Sequence, residues 1–462
     1  MTATARRFGV PLLLAIALWL GGASPAFAHN ELTGSEPASG AQVSRAPGRI
    51  SLRFLNPVPL NTATVEVIDA KGARTKITRL AHGSSGDREV VAVLPTLTAG
   101  AVSVRWRLVG PDGHPVSGRV AFTIVTGAGD GASSTVPTGQ TARFDDPWRV
   151  PSALRWAIRW ASYLALAILV GILAVCAWVA PTIATNPRVH SALKGSLIAI
   201  GALGALQLLM LAGDIGGVSP LTAWSSLGTA LGTTAGAAFG VRVLAALALG
   251  WLVRTRPRPD LARSPVTAAV TLALLASWAF AGHAASMRWS LIGVPLDIAH
   301  TAAAAVWVGG LIVVARIVFD ERDVPTLAAT MVRFSRVAPI AVGVLVGTGV
   351  VQSLRLSGIP DLSLGSTHTR LLLVKIVLVA VMLKVADVNR GRVRRRFHDA
   401  TRVTPRLRDA VRRAMVLEFV IGLAVIGLTA AMVVSSPPVL DGLVTNAPVS
   451  PSAVGGPIVQ GV

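Results

Sequence analysis

Two periodicities divide the chain. Between residues 29 and 126 apolar and polar side chains alternate: Ile50, Leu52 and Phe54, then Val65 and Val67, then Val102, Val104 and Trp106, then Val120, Phe122 and Ile124. Alternation of period two, in short runs broken by Pro, Gly and Asn, predicts antiparallel strands with one face buried. About a hundred residues of this kind make a small β-sandwich or barrel. From residue 151 to about 436 the alternation gives way to eight apolar runs, near 155–180, 191–213, 233–253, 265–286, 292–317, 337–355, 370–388 and 414–435. Each approaches the ~20 residues a helix needs to cross the hydrocarbon of a bilayer. The fold class is therefore mixed: an all-β sandwich over 29–126, then an all-α polytopic membrane domain of about eight spans over 151–436.

The flanking segments follow different rules. Residues 1–28 read as a secretory signal, with Arg6 and Arg7 ahead of an apolar stretch from Val10 to Leu20 and an Ala26-Phe27-Ala28 cleavage site. The rival reading is an uncleaved anchor helix. Cleavage after Ala28 makes His29 the new N-terminus. Residues 127–150 are rich in Gly, Ser, Thr and Pro and read as a flexible linker. The Pro/Gly/Val-rich stretch 437–462 reads as a disordered tail.

Composition agrees with the pattern. Hydrophobic residues make up 52% of the 462 and charged residues 14%, which excludes an ordinary soluble domain and a disordered chain. The formal net charge of +21 suggests nucleic acid, but its distribution does not, because ten arginines fall within 390–413, between two apolar runs. There they set membrane topology and meet anionic lipid headgroups. With the sandwich exported, the cytoplasmic loops are 181–190, 254–264, 318–336 and 389–413, and they hold the arginine clusters. The outer loops 214–232, 287–291 and 356–369 hold Arg288 and a residue or two at their edges. Signal and charge thus agree on a multi-pass plasma-membrane protein, its sandwich and tail extracytoplasmic. The single cysteine, Cys176, lies in an apolar run, so an intrachain disulfide is excluded. No G-x-x-x-x-G-K-[ST] motif is present, which argues against direct ATP drive.

Three residues of the sandwich carry candidate metal chemistry: His29, Asp112 and His114. A histidine at a processed N-terminus offers its α-amine and its imidazole to one metal. Asp112 and His114, two apart, project from the same side of extended backbone. Three nitrogens and a carboxylate oxygen suit tetragonal Cu(II) better than tetrahedral zinc. Taken singly the residues have plainer readings, as a turn pair, a surface histidine and an accident of cleavage. His82 reads as a solvated loop residue. In the membrane domain, ionisable groups inside spans are functional candidates because burying them is costly. His283 near the outer end of span four, with Asp297 and His300 one helical turn apart in span five, form the candidate membrane cluster. For Asp214 and Asp297 the rival reading is headgroup water. Met287 and Met432 read as packing or lipid-facing, and Glu418 as pairing with Arg412 or Arg413.

The motifs resemble known families. Ala28-His29-Asn30-Glu31-Leu32, Ser35 to Gly40, Val104-Arg105-Trp106-Arg107 and Asp112-Gly113-His114-Pro115-Val116-Ser117-Gly118 resemble the copper-binding CopC family across 29–126. The resemblance implies a Greek-key sandwich holding Cu(II) through the His29 amine and imidazole, Asp112 and His114. Residues 29–126 contain no methionine, so the Met-rich Cu(I) site of that family has no counterpart, and Asn56 stands where many relatives carry Glu. Residues 150–436 resemble the CopD family, through Gly282-His283-Ala284, His300 with Trp307 to Leu311, Phe334-Ser335-Arg336, and Leu372 to Lys375 followed by Asn389-Arg390. A CopC domain ahead of a CopD domain is similar to YcnJ-type copper proteins. This implies a copper-binding, non-enzymatic membrane protein that captures Cu(II) outside and passes copper into or across the membrane, for uptake, homeostasis or resistance. Its expected partners are copper ions, the lipid bilayer and a copper reductase or chaperone, with no nucleic acid. The alternatives are a haem- or copper-ligating redox protein using His283 and His300, a membrane-anchored enzyme with a monooxygenase-like copper brace, and an anchored copper sensor or store.

Overall fold

The architecture is a computed structural model that describes residues 30, 32–110, 115–125, 150–255, 258–282, 290–316, 323–357, 367–397 and 403–432. The alternating runs form strands: β1 (Leu32–Glu36), β2 (Gln42–Val43), β3 (Arg49–Phe54), β4 (Thr64–Ile68), β5 (Arg74–Ile77), β6 (Leu80–Gly83), β7 (Gly86–Val93), β8 (Gly100–Val109) and β9 (Pro115–Ile124). One sheet has the order β1-β3-β7-β6 and the other β2-β9-β8-β4-β5. The side chains picked out by alternation, among them Ile50, Leu52, Val104, Val120 and Phe122, are buried between the sheets. Phe54 meets Trp106 edge-on at 5.0 Å and 81°. Gly118 faces Trp106 across the β8–β9 ladder, and a Cβ there would lie 2.5 Å from the indole. The ring therefore needs a glycine beneath it. His82 lies exposed in β6 rather than in a loop.

One carboxylate is buried in this sandwich. Glu89 of β7 accepts hydrogen bonds from Ser51 Oγ, from the Ser85 backbone N–H at 2.8 Å and from Ser84 Oγ at 3.4 Å. These donors, Ser51 foremost, favour the ionised form and hold its carboxyl at about 2, against an ordinary 4.5.

The apolar runs form helices: α1 (Ser152–Val179), α2 (Pro187–Gly216), α3 (Thr234–Thr255), α4 (Pro265–Phe280), α5 (Leu291–Arg316), α6 (Val324–Ser357), α7 (Thr367–Arg396) and α8 (Pro405–Met432). Among the described residues six of them, all but α4 and α7, are long and apolar enough to cross a membrane. The described part of α4 has 16 residues, and α7 ends in Arg394, Arg395 and Arg396. Proline opens α2, α4 and α8, where its missing N–H is no loss. The expected loops 318–336 and 389–413 are largely helical instead, because α6 starts at Val324, α7 runs on to Arg396 and α8 starts at Pro405. Arginine is a good helix former, and its long stem lets the charge reach water while the backbone stays helical.

Helix α1 is central, with 72% of its apolar stretch buried against 11% for α6. It crosses α5 so closely that a Cβ on Gly309 would lie 1.8 Å from the Ala167 carbonyl oxygen. Each of the two helices also contains a π turn, at Val175–Val179 and Ala305–Gly309. The α1 turn leaves carbonyls for guanidinium groups: Arg263 donates to Ala177 O at 3.2 Å and Arg333 to Val179 O at 3.3 Å. Cations at a helix C-terminus are favoured by its dipole.

Candidate functional site

The candidate ligands His29, Asp112, His114 and His283 lie outside the described residues, as do the proposed signal, most of the linker and the tail. Described residues near the first three in sequence, Asn30 on one side and the Val109–Pro115 rung of the β8–β9 hairpin on the other, are both tied to the segment after β3. Asn30 is buried; its Oδ1 accepts from the Asn56 backbone N–H at 2.7 Å, and its Nδ2 donates to Pro57 O at 3.4 Å. Six residues on, Thr62 Oγ1 contacts the Val109 and Pro59 carbonyl oxygens, each at 2.8 Å. Val109 pairs with Pro115 as the last rung before the β8–β9 loop. The loop after β3 thus holds Asn30 on one side and the end of β8 on the other.

That same end rests on the helical domain. Val109 is fully buried in a cluster with Leu211, Ala212 and Ile215 of α2 and Phe239 of α3. Arg107 donates to the Gly213 and Asp214 carbonyl oxygens at the end of α2. The Asp214 carboxylate is held by Arg155 of α1 through two hydrogen bonds, at 2.6 and 2.7 Å. Asp214 is therefore a tether between α1, α2 and the sandwich, and not a residue of open headgroup water.

In the helical domain, α1, α5, α6, α7 and α8 line a partly open cavity of about 540 Å³, almost wholly apolar, with His300, Lys375, Tyr163 and Thr369 on its wall. His300 Nδ1 lies 3.0 Å from Thr348 Oγ1, whose own hydrogen goes to the Val344 carbonyl at 2.6 Å. The hydroxyl oxygen accordingly accepts from Nδ1–H, and in the neutral ring Nε2 keeps the lone pair a metal would use. Asp297 accepts from Gln352 Nε2 at 3.1 Å. Lys375 stands within electrostatic range of both Asp297 and His300. Asp297 and His300 are thus brought to one region, held by α6. Among the described residues no group of three or more His, Cys, Asp or Glu is arranged to hold a metal.

A second cavity, of about 190 Å³, lies toward the opposite end, between α6, α7 and α8. Trp307 and Leu383 line both cavities and separate them. Glu418 lies here, almost completely buried, and its partner is Asn389 at 3.3 Å rather than a loop arginine. The charged loop residues can reach solvent, whereas Glu418 points into the bundle.

Sequence reasoning passed over Arg242, Lys375, Thr348 and Gln352. Arg242 is fully buried, bonded to Gln207 Oε1 at 2.6 Å and Ser277 O at 3.2 Å, and stacked 3.6 Å over Trp278. It joins α2, α3 and α4. Its signal was available, since an arginine inside an apolar run is a candidate by default.

Known proteins match both halves of the chain. The CopC domain model matches residues 32–125, the copper resistance protein D-like N-terminal domain matches 150–293, and copper resistance protein D matches 328–432. The copper transport protein CutJ of Bacillus subtilis (strain 168) is 26% identical over 429 residues, covering 89% of this chain and 74% of that protein. Copper resistance protein C of Pseudomonas syringae pv. tomato is 33% identical over 108 residues, covering 21% of this chain and 81% of that protein. The crystal structure of CopC from Methylosinus trichosporium OB3b covers 22% of this chain and 99% of that one at 24% identity, with a TM-score of 0.20. Sandwich and spans together define a multi-pass membrane protein concerned with copper. The chain belongs to the copper resistance family, with a CopC domain followed by a CopD domain.

Proposed function

We propose that the protein captures Cu(II) outside the cell through His29, Asp112 and His114 and passes copper to the helical domain through His300, with His283 and Asp297 as further membrane ligands. The observation that carries this reading is the docking of one end of the sandwich. Asn30, next to His29, and the Val109–Pro115 rung that bounds the segment with Asp112 and His114 are both held by residues 56–62. That end presses on the side of the helical domain where α1 starts and α2 ends. His300 adds an imidazole on the wall of the larger cavity, oriented by Thr348. Asp297 offsets the positive charge of Lys375, which otherwise opposes a cation at His300. The arginines at the other end of the bundle, on α7 and α8, support an extracytoplasmic sandwich. Relatives with resistance and transport in their names support cargo handling rather than catalysis. A gradient, or reduction to Cu(I) by a partner protein, supplies the drive.

Copper flux into proteoliposomes of known orientation tests the reading, with Cu(II) and Cu(I) offered separately. Saturable flux is expected, lost in His283→Ala/His300→Ala. In correctly processed protein His29→Ala is expected to weaken Cu(II) binding by more than the ~10–100-fold that losing a ligand's hydrogen-bond partner costs. Unchanged Cu(II) affinity would remove the central claim. The volume near His300, about 540 Å³, also admits a planar group far larger than an ion. A Soret band on purification would favour a haem-ligating membrane half.

A further inference from the structure

The 190 Å³ cavity beyond Trp307 has no part in the reading above. Met331 of α6, Met415 and Glu418 of α8, and Asp387, Asn389 and Arg390 of α7 all line it. Met415 and Glu418, three apart on one helix, share a face. Both methionines are buried to 2% exposure or less, Glu418 is 3% exposed and Asn389 6%. Asn389 donates its Nδ2 hydrogen to Glu418, yet its Oδ1 is buried with no hydrogen-bond partner. A buried acceptor without a donor is a cost that native structures seldom carry. It lies here beside a carboxylate on the wall of a cavity large enough for an ion and its water.

We propose that this cavity is a second metal site, taking copper as Cu(I), with the Met331 and Met415 thioethers as soft ligands and the Glu418 and Asn389 oxygens completing the shell. Thioether sulfur selects Cu(I) over the hard and borderline divalent ions. Asp387 and Glu418 bring two carboxyl groups to the lining beside the single guanidinium of Arg390. The sandwich has no methionine, and its ligand set is one of hard nitrogen and oxygen. The two ends of the protein are therefore matched to different valences. The inference rests on the transport reading for how the ion arrives, and on this cavity alone for how it is held.

The test uses the full chain in lipid nanodiscs, in a Cys176→Ser background so that sulfur scattering reports methionine. Cu(I) is titrated against a chromophoric Cu(I) chelator, and X-ray absorption is recorded on the loaded protein. The proposal expects sulfur in the Cu(I) shell and the loss of one tight equivalent in Met331→Leu/Met415→Leu. For Glu418→Gln it expects affinity about 10–100-fold weaker, and Cu(II) binding at the sandwich is unchanged in every variant. A shell of nitrogen and oxygen alone, or full Cu(I) stoichiometry in the double variant, would overturn it. Should the double variant misfold, Met415→Leu and the unsubstituted protein's spectrum decide in the same way. Flux separates the two proposals. Sulfur-bound Cu(I) in a protein with no flux upholds the site and removes transport, while full Cu(I) stoichiometry and normal flux in the double variant remove the site and uphold transport.

Discussion

The sandwich and the helical domain put their buried polar groups to different uses. Between the sheets of the sandwich lie Ile50, Leu52, Val104, Trp106 and Phe122, and the buried polar side chains Asn30, Thr62 and Glu89 bond to loops or to a neighbouring strand. The helical domain has a large apolar core too, but polar groups are buried within it, Arg242, Gln207, Ser277, Asn389 and Glu418 among them. Water surrounds the first domain, so polar side chains reach solvent at little cost and the interior is left to hydrocarbon. Lipid surrounds the second, and there a polar group is cheapest facing another helix or a cavity. Interior polarity in the helical domain therefore either ties helices together, as Arg242 does, or lines a space, as His300 and Glu418 do.

Overpacking tests this contrast most sharply. Gly309→Ala places a methyl against the Ala167 backbone, which cannot yield, so its cost should exceed the ~1–3 kcal/mol of ordinary overpacking and abolish monodisperse protein in detergent. Gly118→Ala meets the Trp106 side chain, which can tilt, and is expected to lower the sandwich's midpoint of unfolding while leaving the protein folded. Equal effects would dissolve the distinction. Next in size is Thr348→Val, which frees Nδ1 of His300 and should cut copper flux about tenfold, with Thr348→Ser restoring it. Arg107→Ala should slow delivery a few-fold, measured as transfer from the Cu(II)-loaded protein, since it removes hydrogen bonds to the end of α2. The smallest effect concerns Glu89. Its pKa falls from 4.5 to about 2 on folding, so its stabilisation is complete above the ordinary carboxylate range and is lost as pH drops toward 2. Hydrogen exchange of β3 and β7 should report that loss in acid, and Glu89→Gln should flatten it.

The sandwich core and the eight helices were legible because a period of two or a long apolar run names its own buried face. Partnerships between helices were not. Nothing in the run 233–253 says that Arg242 will meet Gln207 and Ser277, because those contacts depend on how α2, α3 and α4 are rotated against each other. Thr348 and Gln352 escaped for the same reason: each is an ordinary polar residue until α6 brings it to His300 and Asp297. Glu418 read as a partner of nearby arginines because it follows them in sequence, whereas its helical face turns it to Asn389. The expected loops 318–336 and 389–413 were set too long, since charge density alone does not end a helix. The docking of β8 on α2 joins residues 106 and 107 positions apart, a separation no local pattern reports.

Among the described residues, that docking corner sets an arginine and a valine of one strand against α2 and α3. Two separate proteins meeting through such a patch would first have to overcome ~4–15 kcal/mol of lost translational and rotational freedom. Carried on one chain, the two halves face each other at the effective concentration set by the linker, which for short flexible tethers is in the millimolar range. For the proposed handover of copper, a single chain replaces an encounter that depends on expression level with a first-order one, and a weak contact suffices.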